Sequence, residues 1–166
     1  EIKNYSHLYF NRSDTYEFTK SISGNGDLHQ VGSGTLVLTA NSTYGGTTYI
    51  DNGTIQLGDG SNSLVSFTNP KIIDNGNLSI NYGKDFTISQ TMSGIGGLTQ
   101  MGSGTTTING SNTDQITYTG ATAITGGKLL LSGSGTLSHS SGVHDDAAFD
   151  VSGVTGGGTS IQALDG

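Results

Sequence analysis

The sequence predicts an all-β chain wound as a β-solenoid, and three observations predict it. Short runs of alternating apolar and polar residues are separated by clusters of Gly and Asn, with no helical period between them, as in "VGSGTLVLTANSTYGGTTYIDNGTIQLG" (31–58). The chain matches itself at an offset of 70, and strand-like runs return about every 20 residues. A chain that revisits an equivalent strand at that interval is coiling.

The composition agrees with this. Of 166 residues 28 are Gly and only 1 is Pro, while 31% are hydrophobic and 11% charged. Much of the remainder is Ser, Thr and Asn. Thr is β-branched and suits strands, whereas Gly and Asn accept the backbone of tight turns.

Taken along the chain, the first copy of the repeat runs over about 8–57 and the second over about 78–131. Without a gap, "LYFNRSDTYEFTKSISGNGDLHQVGSGTLVL" (8–38) lies over "LSINYGKDFTISQTMSGIGGLTQMGSGTTTI" (78–108). Leu8 meets Leu78, Phe10 meets Ile80, Tyr16 meets Phe86, Phe18 meets Ile88, Ile22 meets Met92 and Leu28 meets Leu98. Leu36 meets Thr106, the one apolar position given to a polar residue, and Leu38 meets Ile108. After a four-residue insertion the offset is 74, so that "YGGTTYIDNGTIQL" (44–57) lies over "YTGATAITGGKLLL" (118–131), with Ile50 on Ile124, Ile55 on Leu129 and Leu57 on Leu131. A third, truncated copy begins at about 149, where Phe149 and Val151 echo Leu78 and Ile80.

Within each copy the period of two puts one face of every strand inward. Leu57 and Ile80, like Leu129 and Phe149, are separated by the interval expected between neighbouring coils. "GTLVLT", "DFTIS", "NLSIN" and "GTIQLG" read as sides of the coils, with Gly and Asn at the corners. Side chains matched at the offset of 70, or of 74 beyond the insertion, are expected to stack in one inward column. A single coil buries too little to offset its own ordering, so each depends on the coils above and below.

The formal net charge is -7 and no stretch gathers Lys or Arg, which excludes a nucleic-acid partner. With no Cys there are neither disulfides nor thiolate metal sites. No apolar run approaches the roughly 20 residues of a membrane-spanning helix. The segment starts without Met at "EIKNYSHLYF" and stops at "IQALDG" in mid pattern, and it reads as a piece of a longer protein.

The stretches "ISGNGDLHQVGSGTLVLTANSTYGGTTYIDNGTIQLG" and "MSGIGGLTQMGSGTTTI", the latter followed by "YTGATAITGGKLLL", resemble the autotransporter-associated β-strand repeat of bacterial type V passenger domains. "FNRSDTYEF" and "INYGKDFTI" are similar to the segment that leads into that repeat. The resemblance covers nearly the whole chain. It implies a right-handed parallel β-helix, here a fragment of a longer passenger, exported through the periplasm and outer membrane to the cell surface or extracellular space. It also implies a C-terminal translocator barrel in the full-length protein. The second copy departs from the pattern at Thr106 and at "NGSNTDQITYTG" (109–120), where an outward loop is expected.

Each sharper site reading has a plainer competitor. "GDGSNS" (58–63) has the wrong order for a serine-protease nucleophile and sits at a turn, and His7, His29, His139 and His144 lie in dissimilar settings. His144, Asp145 and Asp146 adjoin, yet neighbouring residues of a strand point to opposite sides, so a solvated corner is the better reading. "GNGD" (24–27) becomes "GIGG" (94–97) in the second copy and does not recur as a calcium-binding repeat. Among the aromatics, Phe10, Tyr16 and Phe18 match apolar positions and are expected inward. Tyr9 and Tyr49 match Ser79 and Ala123 and are expected to face solvent, where a ligand can stack on them. Asp27, Asp51, Asp59, Asp74, Asp85 and Asp114 are placed at different corners rather than along one catalytic groove.

The reading is therefore of a non-catalytic passenger segment that binds a host-cell receptor, extracellular matrix or like molecules on neighbouring cells. No catalytic residue, metal ligand or cofactor is assigned, and the binding residues are left open. A stalk that supports passenger folding and displays another domain is the alternative, and a glycan-active β-helix enzyme ranks behind both.

Overall fold

The computed structural model describes residues 1–61, 66–110, 115–155 and 159–166. Among them no helix occurs, and the strands pair in parallel throughout. The chain is a parallel β-solenoid, as its spacing predicts: Leu57 pairs with Ile80 and Leu129 with Phe149.

Its coils have three sides. One is a five-stranded sheet of His7–Phe10, Asp27–Gln30, Thr47–Ile50, Lys71–Asp74 and Thr91–Ser93. The next is an eight-stranded sheet that starts at Thr15–Phe18 and ends at Leu164–Asp165, with Thr35–Leu38, Thr54–Leu57, Asn77–Ile80, Gly97–Gln100, Thr122–Ile124 and Val143–Asp145 between. In chain order the third side follows. In the first coils it is the strip Ile2–Lys3 and Ile22–Ser23, prolonged by bridges through Ser42 and Phe67. In the later coils it is a four-stranded sheet of Phe86–Ile88, Thr105–Gly110, Lys128–Gly133 and Phe149–Val154.

The repeat and the coil do not share a period, which overturns the expected single column. Three coils carry the chain from Leu8 through Leu28 and Thr48 to Ile72, and the remainder of the repeat carries it one side further, to Leu78. Phe10 therefore lies in the five-stranded sheet and Ile80 in the eight-stranded one. Ile55 climbs through Leu78 and Leu98 to Thr122 before the next side reaches Leu129, its match beyond the insertion. The inward character survives this displacement: Ile55, Leu78, Ile80, Leu98 and Leu129 are all buried, and Phe10 packs against the core. An inward position on one side is chemically the same as an inward position on the next, so the sequence match reports facing and not azimuth.

Two inward expectations fail for identifiable reasons. Tyr16 shares the register of buried Leu36 but lies in the edge strand of the eight-stranded sheet, and 37% of its surface is exposed. The Arg12 guanidinium covers its ring at 4.9 Å while pairing with both oxygens of Asp14 at 2.8 and 2.7 Å. Val151 is exposed because a bulge between Leu130 and Ser132 shifts the register, and Val154 packs on the core instead.

Polar side chains close the corners. Buried Gln30 donates to the carbonyls of Gly32 (2.9 Å) and Gly34 (3.0 Å), and buried Gln100 to those of Gly102 (2.7 Å) and Gly104 (3.2 Å). The "GSG" corner thus turns around an inward glutamine that satisfies its carbonyls. Thr106, the departure from Leu, is buried and donates to Gln100 Oε1 at 2.5 Å. Glycine is required where corners touch: at Gly24 and Gly94, matched in the two copies, φ is +101° and +121°, and an added Cβ would lie 2.1 and 2.0 Å from the carbonyl oxygens of Asn4 and Asp74.

The buried tyrosines of "YGGTT" and "YTGAT" each meet a nearby threonine, Tyr44 with Thr48 at 2.5 Å and Tyr118 with Thr122 at 2.6 Å. Burial raises both phenols above their usual pKa, so they stay neutral. Thr122 also meets Ser140 Oγ at 3.0 Å. Tyr118→Phe removes one hydrogen bond from this chain while keeping its volume, and lowers unfolding free energy by about 1 kcal/mol in urea titrations.

Candidate functional site

Outward residues of the five-stranded sheet form an ordered ladder at the N-terminal end. Tyr9, His29 and Tyr49 are register partners on successive strands, so their side chains leave the same side of the sheet one above another. The His29 ring lies 4.6 Å from that of Tyr9 at 24° and 4.4 Å from that of Tyr49 at 3°, a stack of three rings. Tyr9 is 57% exposed. The outward placement expected of Tyr9 and Tyr49 holds, and the histidine between them is the member that sequence reading passed over.

Charged groups flank the stack. His7 sits opposite Asp27 in register, with Nδ1 3.3 Å from Asp27 Oδ2, and its ring meets that of His29 edge-on at 5.5 Å. His29 Nδ1 lies 3.1 Å from Asp51 Oδ2. Asp27 Oδ1 accepts the Thr47 amide at 2.7 Å, which fixes the carboxylate against the next coil. His7 and His29, dissimilar in sequence context, are thus neighbours on adjacent strands. Their separation by one coil plus two residues, which keeps both on the outward face, was the usable signal.

The other candidates do not converge on this face. His144 lies on an exposed stretch between Asp146 (3.1 Å) and Asp165 (3.2 Å), and the hydrogen bond to Asp165 and the charge of Asp146 hold its pKa above the usual histidine value. The neighbouring Asp145 accepts the Ala147 and Phe149 amides and closes the corner. Asp59 caps the Ser61 amide and Asp85 the Thr105 amide. Asp114 and the centre of the insertion, 111–114, lie outside the described residues, as do positions 62 and 63 of "GDGSNS".

Asp74 sits at a corner, as the last residue of Lys71–Asp74, but its side chain is turned inward. It is fully buried, one oxygen accepts the Gly76 amide at 3.0 Å, and the other has no hydrogen-bond partner. Burial pushes its pKa up to about 7 against the opposing pull of the Gly76 and Leu78 amides.

Comparison with known proteins agrees with the fold. The passenger-associated transport repeat family matches residues 28–57 and 98–131. The adhesin BmaC autotransporter of Brucella suis biovar 1 (strain 1330) is 33% identical over 130 residues, which is 74% of this chain and 4% of that protein. The chain thus spans a small fraction of the length of the curated relative it matches. No solved structure matches.

Proposed function

The chain is a segment of an autotransporter passenger domain, built on passenger-associated transport repeats, and from that premise we propose that it acts as a non-catalytic adhesive surface. Passenger homology carries with it export to the cell surface or the extracellular space. The observation that supports the adhesive reading is the outward Tyr9–His29–Tyr49 stack. Stacked rings held by a rigid sheet offer apolar area and polar edges to a partner with little ordering left to do on binding. The similar Brucella suis protein is itself named an adhesin. The partner class is a host-cell receptor or matrix component, or a like molecule on a neighbouring cell, with the translocator barrel supplied by the full-length protein.

The second copy supplies the substitutions that test this. Tyr9→Ser with Tyr49→Ala installs the residues found at 79 and 123, which strands of this solenoid already accommodate. Displayed on the intact secreted passenger, the double variant is expected to reach the surface normally and to lose about tenfold in binding to responsive host cells. Normal display with unchanged binding overturns the ladder as the adhesive element.

The stalk reading draws on a different observation: the features shared by both copies, the glutamine corners and Tyr–Thr pairs, face inward. Deleting residues 8–131 separates the two. Lost delivery with binding per displayed molecule intact supports the stalk, and normal delivery with lost binding supports the adhesive surface.

A further inference from the structure

We infer that His7, Asp27 and His29 form a binding site for one borderline divalent transition-metal ion, of the zinc, copper or nickel class. Donor atoms of these three side chains all lie within 4.8 Å of one another, the one such group of three among the described residues. Two imidazoles and one carboxylate with room for a fourth ligand suit these metals, and suit magnesium or calcium poorly.

Three further features agree. First, His29 Nδ1 faces Asp51 Oδ2 at 3.1 Å, so the proton of the neutral ring sits on Nδ1 and the lone pair is left on Nε2. A carboxylate holding the distal nitrogen is the usual support of a metal-binding histidine. Second, Nε2 of His29 is closed to solvent and has no hydrogen-bond partner. A buried ring nitrogen without a partner is costly unless something takes its lone pair. Third, stacking between Tyr9 and Tyr49 holds the His29 ring plane before any ion arrives.

Little movement is needed. His7 Nδ1 and Asp27 Oδ2 are already 3.3 Å apart, close to the roughly 3.3 Å between neighbouring ligands of a tetrahedral ion bonded at about 2.0 Å. The His7 side chain is half exposed and already faces both Asp27 and His29. The second copy lacks the set: residues 77, 97 and 99 are Asn, Gly and Thr, and there Thr99 donates to Asn77 Oδ1 at 3.3 Å. The site belongs to the first copy alone and stands independently of the adhesive reading.

The test is a zinc titration of the metal-free 166-residue chain against a chromophoric chelator, with ring signals of the four histidines followed by NMR. One ion per chain is expected, shifting His7 and His29 and leaving His139 and His144 in place. His7→Ala and His29→Gln are each expected to weaken zinc by at least about tenfold, and Asp51→Asn by about tenfold. His144→Gln leaves affinity unchanged. His7 is half exposed, so its variant keeps the fold, checked by circular dichroism, if His29→Gln disturbs the stack. Absence of zinc binding, binding indifferent to His7→Ala, or shifts at His144 in place of His7 and His29 would overturn the site.

Discussion

Asp74→Asn raises unfolding free energy at pH 8 by about 3 kcal/mol and leaves it nearly unchanged at pH 4. In the folded chain the carboxyl has a pKa raised to about 7, whereas in the unfolded chain it titrates near the ordinary aspartate value of about 4. A raised folded pKa means the stabilising difference is complete below the unfolded value. As pH climbs from about 4 to about 7 the unfolded chain sheds the proton first, and up to about 1.4 kcal/mol is lost per pH unit. Asparagine carries no such proton, so its stability stays flat across that window.

The first copy shows why asparagine fits. Asn4 is the first-copy match of Asp74; its Oδ1 accepts the Ser6 amide at 3.2 Å and its Nδ2 donates to the Asp27 carbonyl at 2.8 Å. Asp74 keeps the first of these bonds, to Gly76, and its second oxygen stands unpartnered where the amide of Asn4 finds a carbonyl. Urea titrations of both proteins between pH 4 and 8 read the effect. Parallel curves with no pH-dependent gap would show that Asp74 ionises freely in the folded chain.

Gln100→Leu lowers unfolding free energy by about 3 kcal/mol, more than Gln30→Leu at about 2. Gln100 Nε2 serves the Gly102 and Gly104 carbonyls, and its Oε1 takes the Thr106 hydroxyl. Leucine leaves a buried hydroxyl without that acceptor and the Gly102 carbonyl without this donor, whereas the Gly104 carbonyl retains the Lys128 amide at 3.2 Å. At the first corner Leu36 stands where Thr106 does, so no hydroxyl is orphaned. Adding Thr106→Leu to Gln100→Leu should therefore recover about 1 kcal/mol, a coupling that denaturant midpoints of the double-mutant cycle would reveal. Additive losses would mean the Thr106 hydroxyl finds another partner.

Much of the fold was legible because a solenoid writes its cross-section into one dimension. Alternation told which way Leu36, Ile55 and Leu98 face, and the intervals from Leu129 to Phe149 and from Leu57 to Ile80 told which strands pair. Self-similarity could not tell which side a strand occupies, since the burial demanded of Phe10 and Ile80 is alike on every side. Local register was equally hidden: Val151 looks like a core residue until the bulge between Leu130 and Ser132 is seen. The burial of the corner residue Asp74 was hidden because the coil that covers it is the next one along the chain, with Gly94 and Gly96 against it. The His7–Asp27–His29 group escaped for the same reason, being assembled by coil register from residues with no local motif.

The mismatch between repeat and turn has a consequence for how such a passenger grows. Each duplicated unit adds a non-integral number of windings, so the position equivalent to any outward residue lies a third of the way further around the shaft. Three units bring a feature back above itself. A string of these copies therefore presents its outward chemistry as a spiral staircase, reachable from any direction of approach, where a repeat in phase with the winding would have painted a single stripe.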